Sequence, residues 1–197
     1  YKGIINSNCY SVKLKNIKVN IYLPKEAITM KKIYITVIGS SNYVPKEVYE
    51  KAVEVGRLLA KHGAIIITGG RTGIMEAVCK GAKEAGGLTI GILPGLTRDE
   101  ANEYVDIAIP TGIGYARNAV NVIAGDAIIA ISGGPGTLSE IGLALAYNKP
   151  VVVLAGTGGA SDLIAREGRI REYKVEIAKT PEEAVEKALK LAIKNLS

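Results

Sequence analysis

The stretch from Ala127 to Glu140, which reads AIIAISGGPGTLSE, gives the strongest indication of the fold of this 197-residue chain. Five apolar residues form a short strand that is buried on both faces, and a glycine-rich turn then leads directly into a helix. Glycine lets a backbone approach an anion closely, and the N–H groups that open a helix attract phosphate. The stretch therefore predicts a phosphate-binding turn, with a tight strand-to-helix connection as the alternative.

The same strand-turn-helix order continues from Met30 to the end of the chain. It predicts an α/β fold, a Rossmann-like, doubly wound and mostly parallel sheet of about seven strands with helices on both faces. With strand order 3-2-1-4-5, the glycine-rich turns after the first, second and fifth strands face one cleft. The predicted strands are 33–38, 64–67, 88–93, 104–109, 127–131, 151–154 and 173–177.

The first 29 residues differ from the rest in composition and end shortly before the strong strand that follows Met30. Residues 30–197 are expected to form a single nucleotide-binding domain, since one ordinary domain accounts for this length. Residues 1–29 form an N-terminal extension with two open explanations. It is either sequence from an upstream start or an edge hairpin that serves oligomer contacts.

The net charge of +6 is concentrated at the N-terminus. Residues 1–29 hold five lysines against one glutamate, which leaves 20 basic and 18 acidic residues for 30–197. This balance argues against a nucleic-acid partner. The chain lacks an apolar run of the roughly 20 residues that a membrane span needs, and its N-terminus lacks the apolar stretch of a secretory signal. A cytoplasmic location without a membrane partner is therefore expected.

Three glycine-rich turns supply the candidate phosphate and ligand contacts. None of them matches the dinucleotide or P-loop fingerprints, so nicotinamide chemistry and P-loop hydrolysis are not expected. Two cysteines and one histidine offer no metal-ligand spacing, and we expect neither a metal nor a required cofactor. The candidate residues are Gly39, Ser40, Ser41, Gly69, Gly70, Arg71, Thr72, Gly73, Gly133, Gly134, Gly136 and Thr137.

Glu140 lies three residues after Thr137, in the predicted first turn of the helix, where its carboxylate can project beside the phosphate. The same two residues have the spacing of a capping box, which satisfies helix N–H groups and needs no ligand. Both roles stay open. Arg117 and Asn118 begin another predicted helix, and an arginine near several anion-binding turns either clamps a ligand or lies in solvent. Arg71 has the same two interpretations.

Two of these turns resemble the motifs of the LONELY GUY (LOG) proteins. The stretch 133–140 is similar to their PGGxGTxxE motif, with Ser132 in place of the proline, and 68–75 is similar to their GGGxxGLM turn. The similarity runs from about Ile33 to at least Leu154. It implies a phosphoribohydrolase, which releases a free base from a nucleoside 5′-monophosphate. Glu140 and Arg117 are then the catalytic residues.

LOG enzymes carry an Arg-Lys pair where this chain has Arg117-Asn118. This pair, together with Ser132, is closer to the branch of molybdenum-cofactor carrier proteins, in a superfamily that has also carried the label lysine decarboxylase. That resemblance implies a binding or carrier protein for an AMP-like nucleotide or molybdenum cofactor, and a homo-oligomer, either dimer or tetramer. Carrier function is the first expectation and hydrolysis the alternative.

Overall fold

The structure is a computed structural model that describes residues 9–14, 17–22, 32–41 and 43–196. The chain divides between Lys32 and Ile33 into two compact units. In the first unit, strands β1 (Cys9–Leu14) and β2 (Ile17–Tyr22) pair antiparallel. The predicted boundary between residues 29 and 30 lies outside the described residues, so the division into an extension and one domain stays a prediction.

The second unit is built on a seven-stranded parallel sheet. The strands of this unit are β3 (Tyr34–Gly39), β4 (Ile65–Thr68), β5 (Thr89–Leu93), β6 (Ile107–Pro110), β7 (Ala127–Ile131), β8 (Val151–Leu154), β9 (Arg169–Ile170), β10 (Tyr173–Lys174) and β11 (Glu176–Ala178). The order in the sheet is β11-β8-β7-β3-β4-β5-β6, and every adjacent pair is parallel, while β9 and β10 form a separate antiparallel pair.

Helices cover both faces of this sheet, which confirms the predicted doubly wound fold. They are α1 (Lys46–Lys61), α2 (Ile74–Glu84), α3 (Arg117–Ala124), α4 (Pro135–Ala146), α5 (Gly159–Glu167) and α6 (Pro181–Leu196). Side chains of α1, α2 and α6 pack with Ile35, Ile129 and Val152 in one apolar core. Side chains of α3, α4 and α5 pack with Ile128 and Val153 in the other. Successive strand residues thus face opposite cores.

Among the described residues, no helix combines the length and the apolar character needed to cross a bilayer.

The predicted strand order 3-2-1-4-5 is wrong. The fourth strand, β6, lies at the sheet edge beside the third, and the fifth, β7, pairs with the first, β3. The reason is visible in the strands themselves. Ile107 and Ile109 of β6 remain about half exposed, and β6 ends at Pro110, which lacks an N–H and suits an edge. All five residues of β7 are buried, as a central strand requires.

Three predicted strands differ from the observed limits by one residue at one or both ends, and two differ by more. The strand predicted at 104–109 begins at Ile107, because the Asp106 carboxylate accepts the Thr89 N–H in place of a ladder bond. The strand predicted at 173–177 is divided. Its first part pairs with β9, and the remainder belongs to β11, which extends the main sheet beside β8.

Candidate ligand-binding site

A cleft of about 720 Å³ opens where β3, β4 and β7 end. The turns that follow these three strands line it together with α3 and the first turns of α4. This is the carboxyl edge of the sheet at the point where strand order reverses, between β3 and β7. The expected meeting of the three glycine-rich turns at one cleft is therefore confirmed, although the strand order behind it differs.

The turns after β3 and β4 are tied to each other. The Ile74 N–H donates to the Ser40 carbonyl at 2.9 Å, and the Thr72 hydroxyl donates to the Ser41 carbonyl at 2.7 Å. Gly39 permits this approach, because an added Cβ would lie 2.5 Å from both the Ile74 side chain and the Ile131 carbonyl oxygen. The two turns thus form one continuous wall of the cleft.

The turn after β7 takes an unusual backbone path before α4. Ser132 has φ +55° and Gly133 has φ +101°, both in the region that favours glycine. At Gly133 a Cβ would also lie 2.4 Å from the Thr137 Cβ. Gly134 then caps α4, which begins at Pro135. This path brings the beginning of α4 to the cleft.

The N-terminus of α4 has no side-chain hydrogen bond at its cap. The Leu138 N–H donates to the Gly134 carbonyl at 3.0 Å, so the N–H groups of Gly136 and Thr137 precede the first bond of the helix. Both residues line the cleft. Two N–H donors at the positive end of a helix dipole suit an anion.

The capping-box interpretation of Thr137 and Glu140 is wrong. The helix begins at Pro135, so Thr137 is its third residue rather than its cap, and Glu140 lies in the second turn rather than the first. The Glu140 carboxylate instead accepts a hydrogen bond from the Asn121 amide at 2.8 Å. It is therefore turned toward α3 and the cleft, away from the helix N–H groups.

Arg117 and Glu140 form a buried pair across the cleft. Their side chains are 11% and 7% exposed, and Arg117 Nη1 lies 3.6 Å from Glu140 Oε1. Burial raises the pKa of Glu140 above its ordinary value, although the Asn121 hydrogen bond and the Arg117 charge act in the opposite direction. Burial also lowers the pKa of Arg117, against the effect of Glu140. Each group thus lacks the hydration that an exposed charge has.

Polar atoms in this part of the cleft have unused hydrogen-bonding capacity. Among the described residues, the buried side-chain nitrogen and oxygen atoms without a hydrogen-bond partner are Arg117 Nε, Arg117 Nη1 and Asn121 Oδ1. Asn121 is 1% exposed, and both residues line the cleft. Buried polar groups normally have partners, and each unpaired one costs free energy. Two donors and one acceptor beside the cleft thus lack a hydrogen bond within the protein.

Asn118 fixes the neighbouring part of the wall. Its amide donates to the Ser139 hydroxyl at 3.0 Å, and that hydroxyl donates to the Gly136 carbonyl at 2.7 Å. The bonds join α3 to the first turn of α4. Asn118, at the position of the lysine in the LOG motif, is thus bonded to α4.

The structure brings most of the predicted site residues to the cleft. Those that line it are Gly39, Ser40, Ser41, Gly69, Arg71, Arg117, Asn118, Gly134, Gly136, Thr137 and Glu140. Gly70, Thr72, Gly73 and Gly133 belong to the same turns but are not lining residues. Gly70 packs against Gly91 and Leu93, and Gly133 packs against Thr137. Gly70, Thr72, Gly73 and Gly133 thus contribute to the site through the backbone path of its turns.

Asn121 is a site residue that the sequence analysis missed. It lies four residues after Arg117 on α3, and residues at this spacing share one face of a helix. The sequence therefore contained an indication of Asn121, because a helix that contacts a ligand through Arg117 has residue 121 on the same face. Its main chain is fixed as well, because the Thr36 hydroxyl donates to the Asn121 carbonyl at 2.8 Å.

The fold and the place of the cleft define a Rossmann-like α/β protein, a class that binds nucleotides at the switch point. The family follows from comparison with known proteins. The chain belongs to the SLOG cluster4 family, whose model matches residues 32–185.

Among the proteins similar to this chain are two molybdenum-cofactor proteins and one phosphoribohydrolase. The molybdenum cofactor binding protein from the phototrophic bacterium Rippkaea orientalis is 40% identical with a TM-score of 0.76, over 83% of this chain and 99% of that chain. The Moco carrier protein from Chlamydomonas reinhardtii is 38% identical with a TM-score of 0.72, over the same shares. The cytokinin riboside 5′-monophosphate phosphoribohydrolase of Mycobacterium tuberculosis is 32% identical over 117 residues, 55% of this chain and 63% of that enzyme. The expected membership in the LOG and molybdenum-cofactor carrier superfamily is confirmed.

Proposed function

We propose that this protein binds a phosphorylated, nucleotide-like ligand, either a nucleoside monophosphate or a molybdenum-cofactor-type pterin, and carries it without cleaving it. The observation that carries the proposal is the cleft itself. It joins a helix N-terminus with an open cap to a buried cluster of Arg117, Asn121 and Glu140. One end suits a phosphate, and the other offers donors and acceptors to the remainder of the ligand.

In this proposal the phosphate binds at the beginning of α4. There the N–H groups of Gly136 and Thr137 and the helix dipole act on the same anion. Arg71 lines the cleft from the turn after β4, where a guanidinium adds charge-assisted bonds to phosphate oxygens. Arg117 and Asn118 then orient the ligand from α3.

Binding is preferred to hydrolysis for two reasons. The solved structures of carrier and cofactor-binding proteins match nearly their whole length, whereas the mycobacterial hydrolase matches over 63% of its own. The chain also has Asn118 where LOG enzymes have lysine, and this amide is engaged with Ser139. The relatives' ligands support the choice of a phosphorylated ligand for this chain.

Hydrolysis of a nucleoside monophosphate is the second candidate, and Glu140 is the observation that favours it. Its carboxylate lines the cleft, and its pKa is raised by burial. Glycosidic cleavage passes through a cation-like transition state that a nearby carboxylate stabilises. In this case Glu140 acts on the water or on the developing sugar cation, and Arg117 holds the nucleotide.

Incubation of the purified protein with AMP separates the two candidates. We expect no free adenine by chromatography, while AMP or a pterin phosphate at about 100 times its Kd raises the Tm by roughly 5–10 °C. Adenine release that disappears in E140Q, which keeps the size of the side chain, would establish the hydrolase. If there is no adenine release and no phosphorylated ligand protects the protein from thermal unfolding, the proposed function is contradicted.

A homo-oligomer is proposed through the outer faces of α3 and α4. Val120 and Ile123 of α3 are 42% and 46% exposed, and Leu138 of α4 is 38% exposed. A helix that is apolar on its outer side normally has a partner there. Light scattering should show a dimer or tetramer for the wild-type chain and a smaller species for I123E. A wild-type monomer at micromolar concentration would contradict this proposal.

A further inference from the structure

The loop between β8 and α5 holds the turn that precedes α4. The Ser132 N–H donates to Thr157 Oγ1 at 2.9 Å. The Ser132 carbonyl accepts from the N–H of Ser161 at 3.1 Å and from its hydroxyl at 3.0 Å. The Gly133 carbonyl accepts from the Ala160 N–H at 2.8 Å. Ser132 is thus bonded through both its N–H and its carbonyl, and Gly133 through its carbonyl, to Thr157 and to the first turn of α5.

Thr157 is itself fixed for this contact. It is 4% exposed, and its hydroxyl donates to the Leu154 carbonyl at 2.6 Å, which directs an oxygen lone pair to the Ser132 N–H. A hydroxyl has one donor and two acceptor positions, so both bonds form together. Thr157 therefore links the end of β8 to the turn after β7.

Asp162 orders the loop that presents Thr157. Its carboxylate accepts the N–H groups of Gly156 at 2.7 Å, Thr157 at 3.4 Å and Gly158 at 3.0 Å. A carboxylate in such a ring of N–H donors is strongly held. Gly159 then lets the loop approach, since a Cβ there would lie 2.1 Å from the Gly133 carbonyl oxygen.

We propose that Thr157, ordered by Asp162, is a positioning residue of the phosphate site. It holds Ser132 and Gly133 in their positive-φ conformation, and that conformation directs the N–H groups of Gly136 and Thr137 into the cleft. The proposal rests on the proposed function, because it concerns the turn that receives the phosphate. Neither of the two glycine-rich motifs includes Thr157 or Asp162.

The arrangement requires a residue at position 132 that has an N–H and adopts positive φ. Ser132 has φ +55° and donates its N–H. Proline has no N–H, and its ring fixes φ near −65°. The PGG form of the LOG motif is therefore incompatible with the bond to Thr157. The turn in this chain has a geometry of its own, and the departure at residue 132 is coupled to residue 157.

Two matched pairs of variants test the proposal by calorimetric titration with AMP and with adenosine, which lacks the phosphate. T157V keeps the shape of the side chain but leaves the Ser132 N–H unpaired, and T157S restores the hydroxyl. S132P removes the N–H, and S132G keeps it and tolerates positive φ. We expect T157V and S132P to weaken AMP binding roughly 10-fold or more, with adenosine unchanged. T157S and S132G should bind AMP nearly as the wild-type chain does.

The outcomes separate this proposal from the proposed function. Wild-type affinity for AMP in T157V would overturn the positioning role and leave the proposed function intact. An equal loss of AMP and adenosine in T157V, without recovery in T157S, would show a role in folding alone and also overturn it. If the wild-type chain fails to prefer AMP to adenosine, the same titrations are made with a pterin phosphate and the matching pterin without phosphate. No preference for the phosphorylated form in either pair would overturn the proposed function, and this proposal with it.

Discussion

At Gly69, the absence of a side chain makes room for the Arg117 guanidinium. A Cβ added there would lie 2.5 Å and 2.6 Å from Arg117 Nη1 and Nη2 and 2.7 Å from Met75 Sδ. Arg117 has a buried Nε and Nη1 without hydrogen-bond partners, and the close approach to Gly69 helps to keep these donors in one place. Gly69 thus leaves space for the Arg117 guanidinium in addition to forming part of the turn after β4.

We predict that G69A displaces Arg117 and weakens AMP binding by roughly 10-fold, because charge-assisted hydrogen bonds to the ligand are lost. The affected neighbours are the ends of long side chains, so the fold should persist, as far-UV circular dichroism can check. The control is G142A on α4, where an added Cβ meets open space. An unchanged affinity in G69A, measured by calorimetry, would contradict the placement of Arg117 against the ligand.

At the scale of elements, Asp106 joins the edge strand β6 to β5. Its carboxylate accepts the Thr89 N–H at 2.9 Å and lies 2.5 Å from Lys83 Nζ. Burial acts to raise the pKa of Asp106, but the bonds from Lys83 and Thr89 outweigh it and hold the pKa below its ordinary value. A lowered carboxyl pKa in the folded state contributes stability above the unfolded pKa, and this contribution is lost as the pH falls through the folded value.

D106N should therefore lower the free energy of unfolding by about 1 kcal/mol at pH 7, after allowance for solvent screening of the Lys83 pair. The difference from the wild-type chain should shrink as the pH falls below about 4, the ordinary pKa of aspartate. Urea unfolding between pH 3 and pH 7 measures both effects. D99N, in an exposed turn, is the control. A difference that grows in acid would refute the assignment.

Elements were predictable where local pattern and burial agree. The strands 127–131 and 151–154 match their predicted limits, since each is apolar throughout and buried on both faces. The position of β6 was not predictable from its apolar content, and only Pro110 indicates an edge. The start of α4 was misplaced because Thr137 resembles a cap. Pro135 was the better signal, since proline favours the first position of a helix.

The site was predictable to the extent that backbone turns determine it. Glycines mark the three turns, and Arg117 and Glu140 stand in recognisable motifs. Asn121 and Thr157 were missed because their roles depend on contacts between separate elements, 19 and 25 residues apart in the chain. Such contacts follow from strand order, and the strand order was the part of the fold that the sequence patterns left open.

Across the whole molecule, the charge of the cleft does not come from the net charge of the chain. Residues 30–197 are nearly balanced, with 20 basic and 18 acidic residues. The positive groups at the cleft are instead Arg71, Arg117 and the N-terminus of α4, with Glu140 as the neighbouring negative group. A local field of this kind suits a small anion, whereas an extended nucleic-acid backbone needs a broad basic face.

The most direct test of the central claim is an AMP titration of the ¹⁵N-labelled protein, followed through the amide resonances. We predict that the largest shifts occur at Gly136 and Thr137, with further shifts at Arg117 and Asn121, and that adenosine leaves Gly136 and Thr137 unchanged. Shifts confined to residues outside the cleft, or equal shifts at Gly136 and Thr137 with both ligands, would contradict a phosphate site at the N-terminus of α4.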